Sequence, residues 1–116
     1  MNEYMLIYQG GDPDWAENTS PEEMGAIMGR WEAWMGKLAA ADKLANGGAP
    51  LHYAGKRVTP DGVVTDIAAS EFKELVSGYS VVKAGSLEEA CELVKDCPIM
   101  EYPDVTVEVR QIQTLE

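Results

Sequence analysis

The order of strand-like and helix-like patterns constrains the fold of this chain more than any other feature. A run rich in Tyr, Ile and Leu predicts a first strand at residues 3–9. An extended pattern covers residues 49–66, with a hairpin turn at Pro60-Asp61-Gly62. Residues 79–84 predict another strand, and valines alternating with polar residues predict a last strand at 105–110.

Two helix patterns interrupt these strands. Ser20-Pro21-Glu22-Glu23 has the residues of a helix start with a capping box, and we expect the helix to run to Asn46-Gly47-Gly48. Ser86-Leu87-Glu88-Glu89 predicts a second helix, which Pro98 ends. The order β-α-β-β-β-α-β predicts an α+β, ferredoxin-like fold, with an antiparallel sheet covered on one face by two helices.

The first strand is apolar on both of its faces. Met5 and Ile7 lie on one face, and Tyr4, Leu6 and Tyr8 lie on the other. Because two helices cover only one face of a sheet, we expect a second copy of the chain to cover the other, which makes a homodimer. The last strand presents polar residues on the face away from the helices, namely Thr106, Glu108 and Arg110. We therefore expect the two sheets to enclose a polar-lined cavity for a small molecule.

Length and charge exclude several classes of partner. The 116 residues fit a single domain, 1–116. A net charge of -11 argues against nucleic acid or an anionic membrane as a partner. The sequence shows no signal peptide or membrane span, and Cys91 and Cys97 fall on different faces of a predicted helix, too far apart for a disulfide. We expect a reduced, cytoplasmic protein without a zinc site or other cofactor.

A family resemblance runs through most of the chain. Thr65-Asp66, then Glu71, Lys73 and Glu74, and then Gly78-Tyr79 resemble the YCII-related proteins, in the branch named for its Asp-Gly-Pro-Phe sequence. Further similar segments are the strand Tyr4–Tyr8, the helix opening Ser20–Met24 and the stretch Gly47–Lys56. The chain departs from that branch at Ile67-Ala68-Ala69, where Gly-Pro-Phe stands in the family.

This resemblance implies a ferredoxin-like fold that dimerises into an α+β barrel, and it implies little about activity. Some relatives resemble small lyases or dehydrochlorinases with a His-Asp pair, and the branch often accompanies sigma-factor genes. Asp66 is the candidate general base at a strand end, and the alternative is a carboxylate that accepts backbone N–H groups of the following turn. His52 is the candidate partner of Asp66, and the alternative is a surface or structural histidine.

Four further residues are candidate ligand contacts. The hydroxyl groups of Tyr8 and Tyr79 are placed to orient a ligand, although core packing explains them equally well. Arg110 is a candidate to bind a small carboxylate or phenolate, and Glu108 is a candidate ligand contact on the same strand; the alternative is that the two pair with each other or across strands. Three functions remain open: a cofactor-free enzyme of proton transfer or elimination, a dimeric small-molecule-binding or regulatory module, and a scaffold whose polar face fixes the dimer register.

Overall fold

The computed structural model describes residues 1–67 and 75–115. The described elements follow the order β1, α1, β2, β3, β4, β5, α2, β6. Their bounds are β1 Asn2–Gly10, α1 Pro21–Ala40, β2 Leu44–Pro50, β3 Lys56–Val58, β4 Val64–Asp66, β5 Val76–Ala84, α2 Leu87–Lys95 and β6 Val105–Gln111, with a short 3-10 helix at Pro98–Glu101.

Four strands form one antiparallel sheet in the order β2-β5-β1-β6. The two longest strands, β1 and β5, are central and pair from Asn2 opposite Ala84 to Gln9 opposite Val76. This small α+β arrangement of a four-stranded sheet and two helices is compatible with a ferredoxin-like fold, as the sequence predicts. The predicted second copy and barrel need a partner chain and stay predictions.

The core lies between the helices and one face of the sheet. Tyr4, Leu6 and Tyr8 of β1 are buried together with Val82 of β5 on this face. The helices contribute the buried residues Trp34, Leu38, Ala90 and Val94. Both helices therefore cover the same face of the sheet, as the sequence predicts.

The opposite face of the sheet is the open face, made by Met5 and Ile7 of β1 and the residues beside them. The strand pairing places Val81 and Tyr79 next to them on β5, and Arg110 and Glu108 next to them on β6. These cross-strand neighbours share a face because directly opposed residues of an antiparallel pair point the same way. The structure thus confirms that Met5 and Ile7 lie on the face of β1 opposite to Tyr4, Leu6 and Tyr8. It also confirms that β6 has a polar face away from the helices.

The end of α1 differs from the prediction. The helix stops at Ala40, before Asn46-Gly47-Gly48, and these three residues belong to β2. Asp42 adopts a left-handed conformation with φ 56°. The Lys43 amide donates to the Leu38 carbonyl at 2.8 Å and the Asp42 amide to the Ala39 carbonyl at 3.1 Å, a hydrogen-bond pattern that closes a helix. The following residues then pair with β5, which the Gly-Gly pattern did not reveal.

The Pro60-Asp61-Gly62 hairpin is confirmed. β3 and β4 pair antiparallel with Lys56 opposite Asp66, and they form a two-stranded sheet separate from the main one. Gly62 has φ 85°, a conformation that favours glycine, and the Thr59 amide donates to the Val63 carbonyl at 3.0 Å. Of the segment that carries the family resemblance, Ala68, Ala69, Glu71, Lys73 and Glu74 lie outside the described residues.

Candidate functional site

A cavity of about 330 Å³ lies beside α1, on the helix-covered side of the sheet. We call it the α1 cavity. Residues of α1, of β1, β2, β5 and β6, and of the loops next to these strands line it. Its volume is at the lower end of the range for small-molecule sites, which is roughly 300–1,000 Å³. The cavity that the sequence predicts is a different one, since it lies on the open face between two copies of the chain.

Helix α1 supplies the apolar wall. Ile27, Met28, Trp31 and Met35 line the cavity, and their spacing places them along one side of the helix. Trp34 lies beyond this side, is 5% exposed and donates its indole N–H to the Leu93 carbonyl at 3.2 Å. Trp34 is therefore a core residue, whereas Trp31 and Met35 are partly buried against the core and line the cavity.

Glycines in β2 and β5 let these strands pack closely against each other and against Met35 of α1. A Cβ atom on Gly48 would lie 1.7 Å from the Tyr79 carbonyl oxygen, and Gly48 also has φ 73°. A Cβ atom on Gly47 would lie 2.8 Å from Met35 Sδ, and one on Gly78 3.1 Å from the Ala49 carbonyl oxygen. Larger residues at these positions would force β2, β5 or Met35 to shift. The glycines therefore keep the strands close together beneath α1.

The floor of the cavity contains two buried hydroxyl groups linked in a chain of hydrogen bonds. The Tyr8 hydroxyl donates to Ser80 Oγ at 2.8 Å, and Ser80 Oγ donates to the Gly47 carbonyl at 2.9 Å. Cys97 Sγ lies 3.8 Å from the same tyrosine oxygen. Burial is the main cause that raises the pKa of Tyr8 far above its ordinary value, and the Cys97 thiol adds to the rise. Tyr8 is therefore a neutral phenol at physiological pH and is no candidate base.

The mouth of the cavity lies where β1 ends. The Tyr53 hydroxyl donates to the Gly10 carbonyl at 2.8 Å, and a Cβ atom on Gly11 would lie 2.8 Å from that hydroxyl. Burial raises the pKa of Tyr53, and the nearby Asp12 raises it further, while Ser77 lowers it in part. Trp15, the aromatic residue of the following loop, also lines the cavity. The loop thus contributes both an aromatic ring and a carboxylate to the rim.

Tyr8 and Tyr79 are both among the lining residues, in different ways. Tyr8 is in the floor through its ring and hydroxyl. Tyr79 pairs with Ile7, so its side chain belongs to the open face, while its carbonyl lies under Gly48. The proposed role of each in binding a ligand stays a prediction.

The other four candidates lie away from this cavity. Asp66 is on the β3–β4 hairpin, paired with Lys56, and its side chain is 80% exposed. His52 is exposed in the segment between β2 and β3. Glu108 and Arg110 are on the open-face side of β6, with 3.9 Å between Glu108 Oε1 and Arg110 Nε. None of the four lines the α1 cavity, and their predicted roles remain untested.

The residues that sequence reasoning missed are those that only the folded chain brings together. Met28, Ser80 and Tyr53 come from a helix, a strand and a loop. The apolar spacing on α1 was the one available signal, and it predicts core packing equally well. Among the described residues there is no group of three or more His, Cys, Asp or Glu side chains able to hold a metal ion. Neither helix in the described ranges is both long and apolar enough to cross a membrane.

The chain matches no protein-family model, and it matches no curated protein.

Proposed function

We propose that this protein is a small-molecule-binding module whose ligand occupies the α1 cavity. One observation carries the proposal: a cavity of about 330 Å³ with aromatic and aliphatic walls lies over a floor of hydrogen-bonded hydroxyl groups. Apolar walls with a few fixed polar groups are the usual composition of a ligand site. Because Tyr8 and Ser80 are already bonded within the floor, a ligand gains most of its affinity from burial against the walls.

Binding fits the geometry better than catalysis does. An enzyme of the predicted kind needs Asp66 as a base within reach of the bound molecule, with His52 assisting. Both residues are exposed and outside the α1 cavity, and Asp66 has Lys56 as its partner. The alternative function, a binding or regulatory module, needs neither residue.

We further propose that the protein is a cytoplasmic homodimer of the YCII-related type, with the open faces of two sheets packed together. Half-buried Met5 and Ile7, beside Val81, give this face an apolar centre. The sequence resemblance and the ferredoxin-compatible sheet both support this family. Two free cysteines, Cys91 and Cys97, suit a reducing compartment.

The proposed function is tested with a neutral aromatic probe, 1-naphthol. We expect it to bind the wild-type protein and to shift the indole N–H signals of Trp15 and Trp31 in a proton–nitrogen NMR spectrum. Ile27→Trp fills the space beside α1, and we expect it to weaken binding by about tenfold or more. Ala26→Trp is the matched control, since Ala26 is exposed on the same helix and does not line the cavity.

Calorimetry gives the affinity of each variant, and circular dichroism checks its fold. Equal binding to both tryptophan variants, or shifts confined to residues of the open face, would contradict the proposed site.

A further inference from the structure

The charges around the α1 cavity have a single sign. Among the described residues that line it, Asp12 and Asp104 are the charged side chains, and there is no lysine, arginine or histidine. The whole chain has the same bias, with a net charge of -11. Burial and the neighbouring Glu101 raise the pKa of Tyr102, and Arg30 offsets this rise only in part. Arg30 does not line the cavity, and its Nε is 3.0 Å from Glu101 Oε2. The charged side chains that line the cavity therefore disfavour an anionic ligand.

Asp12 and Asp104 lie beyond the same end of the paired strands β1 and β6. Gly10 at the end of β1 is paired with Val105 at the start of β6. A Cβ atom on Gly11 would lie 3.3 Å from Val105 Cγ2, so the segment that follows β1 stays next to the start of β6 beyond the last paired residues. Asp12 and Asp104 are the next residues outward. Asp12 is also fixed in place, because its Oδ1 accepts the Asp14 amide at 2.9 Å.

Aromatic rings surround the space that these carboxylates border. Trp15, Trp31, Tyr53 and Tyr102 line it, and Tyr8 lies in the floor. Trp31 is packed edge-on to Tyr8, with 5.7 Å between ring centroids, which holds it in position. The face of an aromatic ring attracts a cation, and tryptophan attracts it most strongly. The aromatic rings and the carboxylates of Asp12 and Asp104 therefore both favour a positively charged ligand in the α1 cavity.

We infer that the ligand of the α1 cavity is a small organic cation, an amine or quaternary ammonium compound with an apolar body. The apolar body lies against Ile27, Met28 and Met35 of α1, and the cationic group lies at the end of the cavity bordered by Asp12 and Asp104. This inference rests on the proposed function, because it names the class of ligand for the same cavity.

The test uses three probes of one shape at pH 7: 1-naphthylmethylamine as the cation, 1-naphthalenemethanol as the neutral molecule and 1-naphthoate as the anion. We expect the amine to bind about tenfold more tightly than the alcohol, and the anion to bind most weakly. Asp12→Asn and Asp104→Asn should each weaken amine binding roughly threefold and leave alcohol binding unchanged. Asp14→Asn is the matched control, since it removes the same charge from the same loop at a residue that does not line the cavity.

The outcomes separate the two proposals. If the alcohol binds as tightly as the amine, or if the anion binds best, the cation inference is overturned while the binding function stands. If Asp14→Asn weakens amine binding as much as the other two substitutions, net charge alone explains the preference and the inference is likewise overturned. If none of the three probes binds, both the inference and the proposed function fail.

Discussion

The two cysteines of this chain lie in opposite environments. Cys91 is exposed on α2, whereas Cys97 is 2% exposed and follows that helix. Burial raises the pKa of the Cys97 thiol to about 11, although the Ile99 backbone and the Tyr8 hydroxyl lower it in part. The Cys97 thiol therefore keeps its proton at neutral pH and is inert, so oxidation and alkylation are directed to Cys91.

This raised pKa predicts a loss of stability in alkaline solution. The unfolded thiol releases its proton near pH 9, while the folded one keeps it to about pH 11. The contribution of the protonated Cys97 thiol to the free energy of unfolding is fully present below pH 9. It decreases by about 2 kcal/mol as the pH rises to 11. Tyr8, whose pKa is also raised by burial, adds a further loss above pH 10.

Urea denaturation at several pH values between 7 and 11 measures the effect. Cys91→Ser should show the same pH dependence as the wild type, and Cys97→Ala should lack the loss of stability that Cys97 causes between pH 9 and 11, keeping only the part due to Tyr8. A free energy of unfolding that is constant across this range would contradict the assignment.

Among the elements, the end of α1 shows most clearly where a local sequence pattern gives way to tertiary structure. The caps at Ser20 and Ser86 were predictable because each is a local hydrogen bond. The Glu23 amide donates to Ser20 Oγ and the Glu89 amide donates to Ser86 Oγ, both at 3.1 Å. The stop at Ala40 was not predictable in this way. Asp42 takes a conformation that glycine takes more readily, and the pairing of β2 with β5 then uses the Gly-Gly sequence as strand.

Replacing Asp42 by glycine should stabilise the protein. Asp42 has φ 56°, which is costly for a residue with a Cβ atom, and its ion pair with Lys83 at 3.2 Å is largely exposed. We expect Asp42→Gly to raise the free energy of unfolding by about 0.5–1 kcal/mol. Asp42→Asn removes the charge but tolerates the conformation, so it isolates the ion pair. A lower thermal midpoint for the glycine variant would mean that the pair with Lys83 outweighs the backbone cost.

The site was less predictable from the sequence than the fold. Trp31 and Met35 recur at helical spacing in the sequence, yet such spacing does not reveal whether the space next to these side chains is filled. The space depends on Gly47, Gly48 and Gly78, which hold three chain segments close together beneath the helix. Such a cavity arises from distances between elements, and no local pattern records those distances.

At the scale of the whole molecule, the open face determines the expected assembly. Its apolar centre is bordered by charged residues of both signs, since Glu3 and Lys83 are directly opposite each other on β1 and β5 and Glu108 lies near Arg110 on β6. A surface with both signs can face a copy of itself without net repulsion, even though the whole chain is acidic. This is the reason to expect a two-fold dimer.

Analytical ultracentrifugation at micromolar concentration should show a dimer. Ile7→Lys places a charge at the centre of the open face, and we expect it to weaken the dimer by about a hundredfold. Met100→Lys adds the same charge at an exposed site on the 3-10 helix, away from this face, and should leave the dimer intact. A monomeric wild-type protein would contradict the proposed assembly and leave the α1 cavity unaffected, because that cavity is formed by one chain.

The hairpin of β3 and β4 is a part of the described chain that the main sheet constrains little. Its strand residues are exposed, and within the described ranges these two strands pair with each other and with no strand of the main sheet. Mutations there leave the hydrogen bonds of the four-stranded sheet untouched, so selection for folding restrains them least. Thr65 and Asp66, which carry part of the family resemblance, lie in this hairpin. The needs of the four-stranded sheet therefore do not account for the resemblance at Thr65 and Asp66.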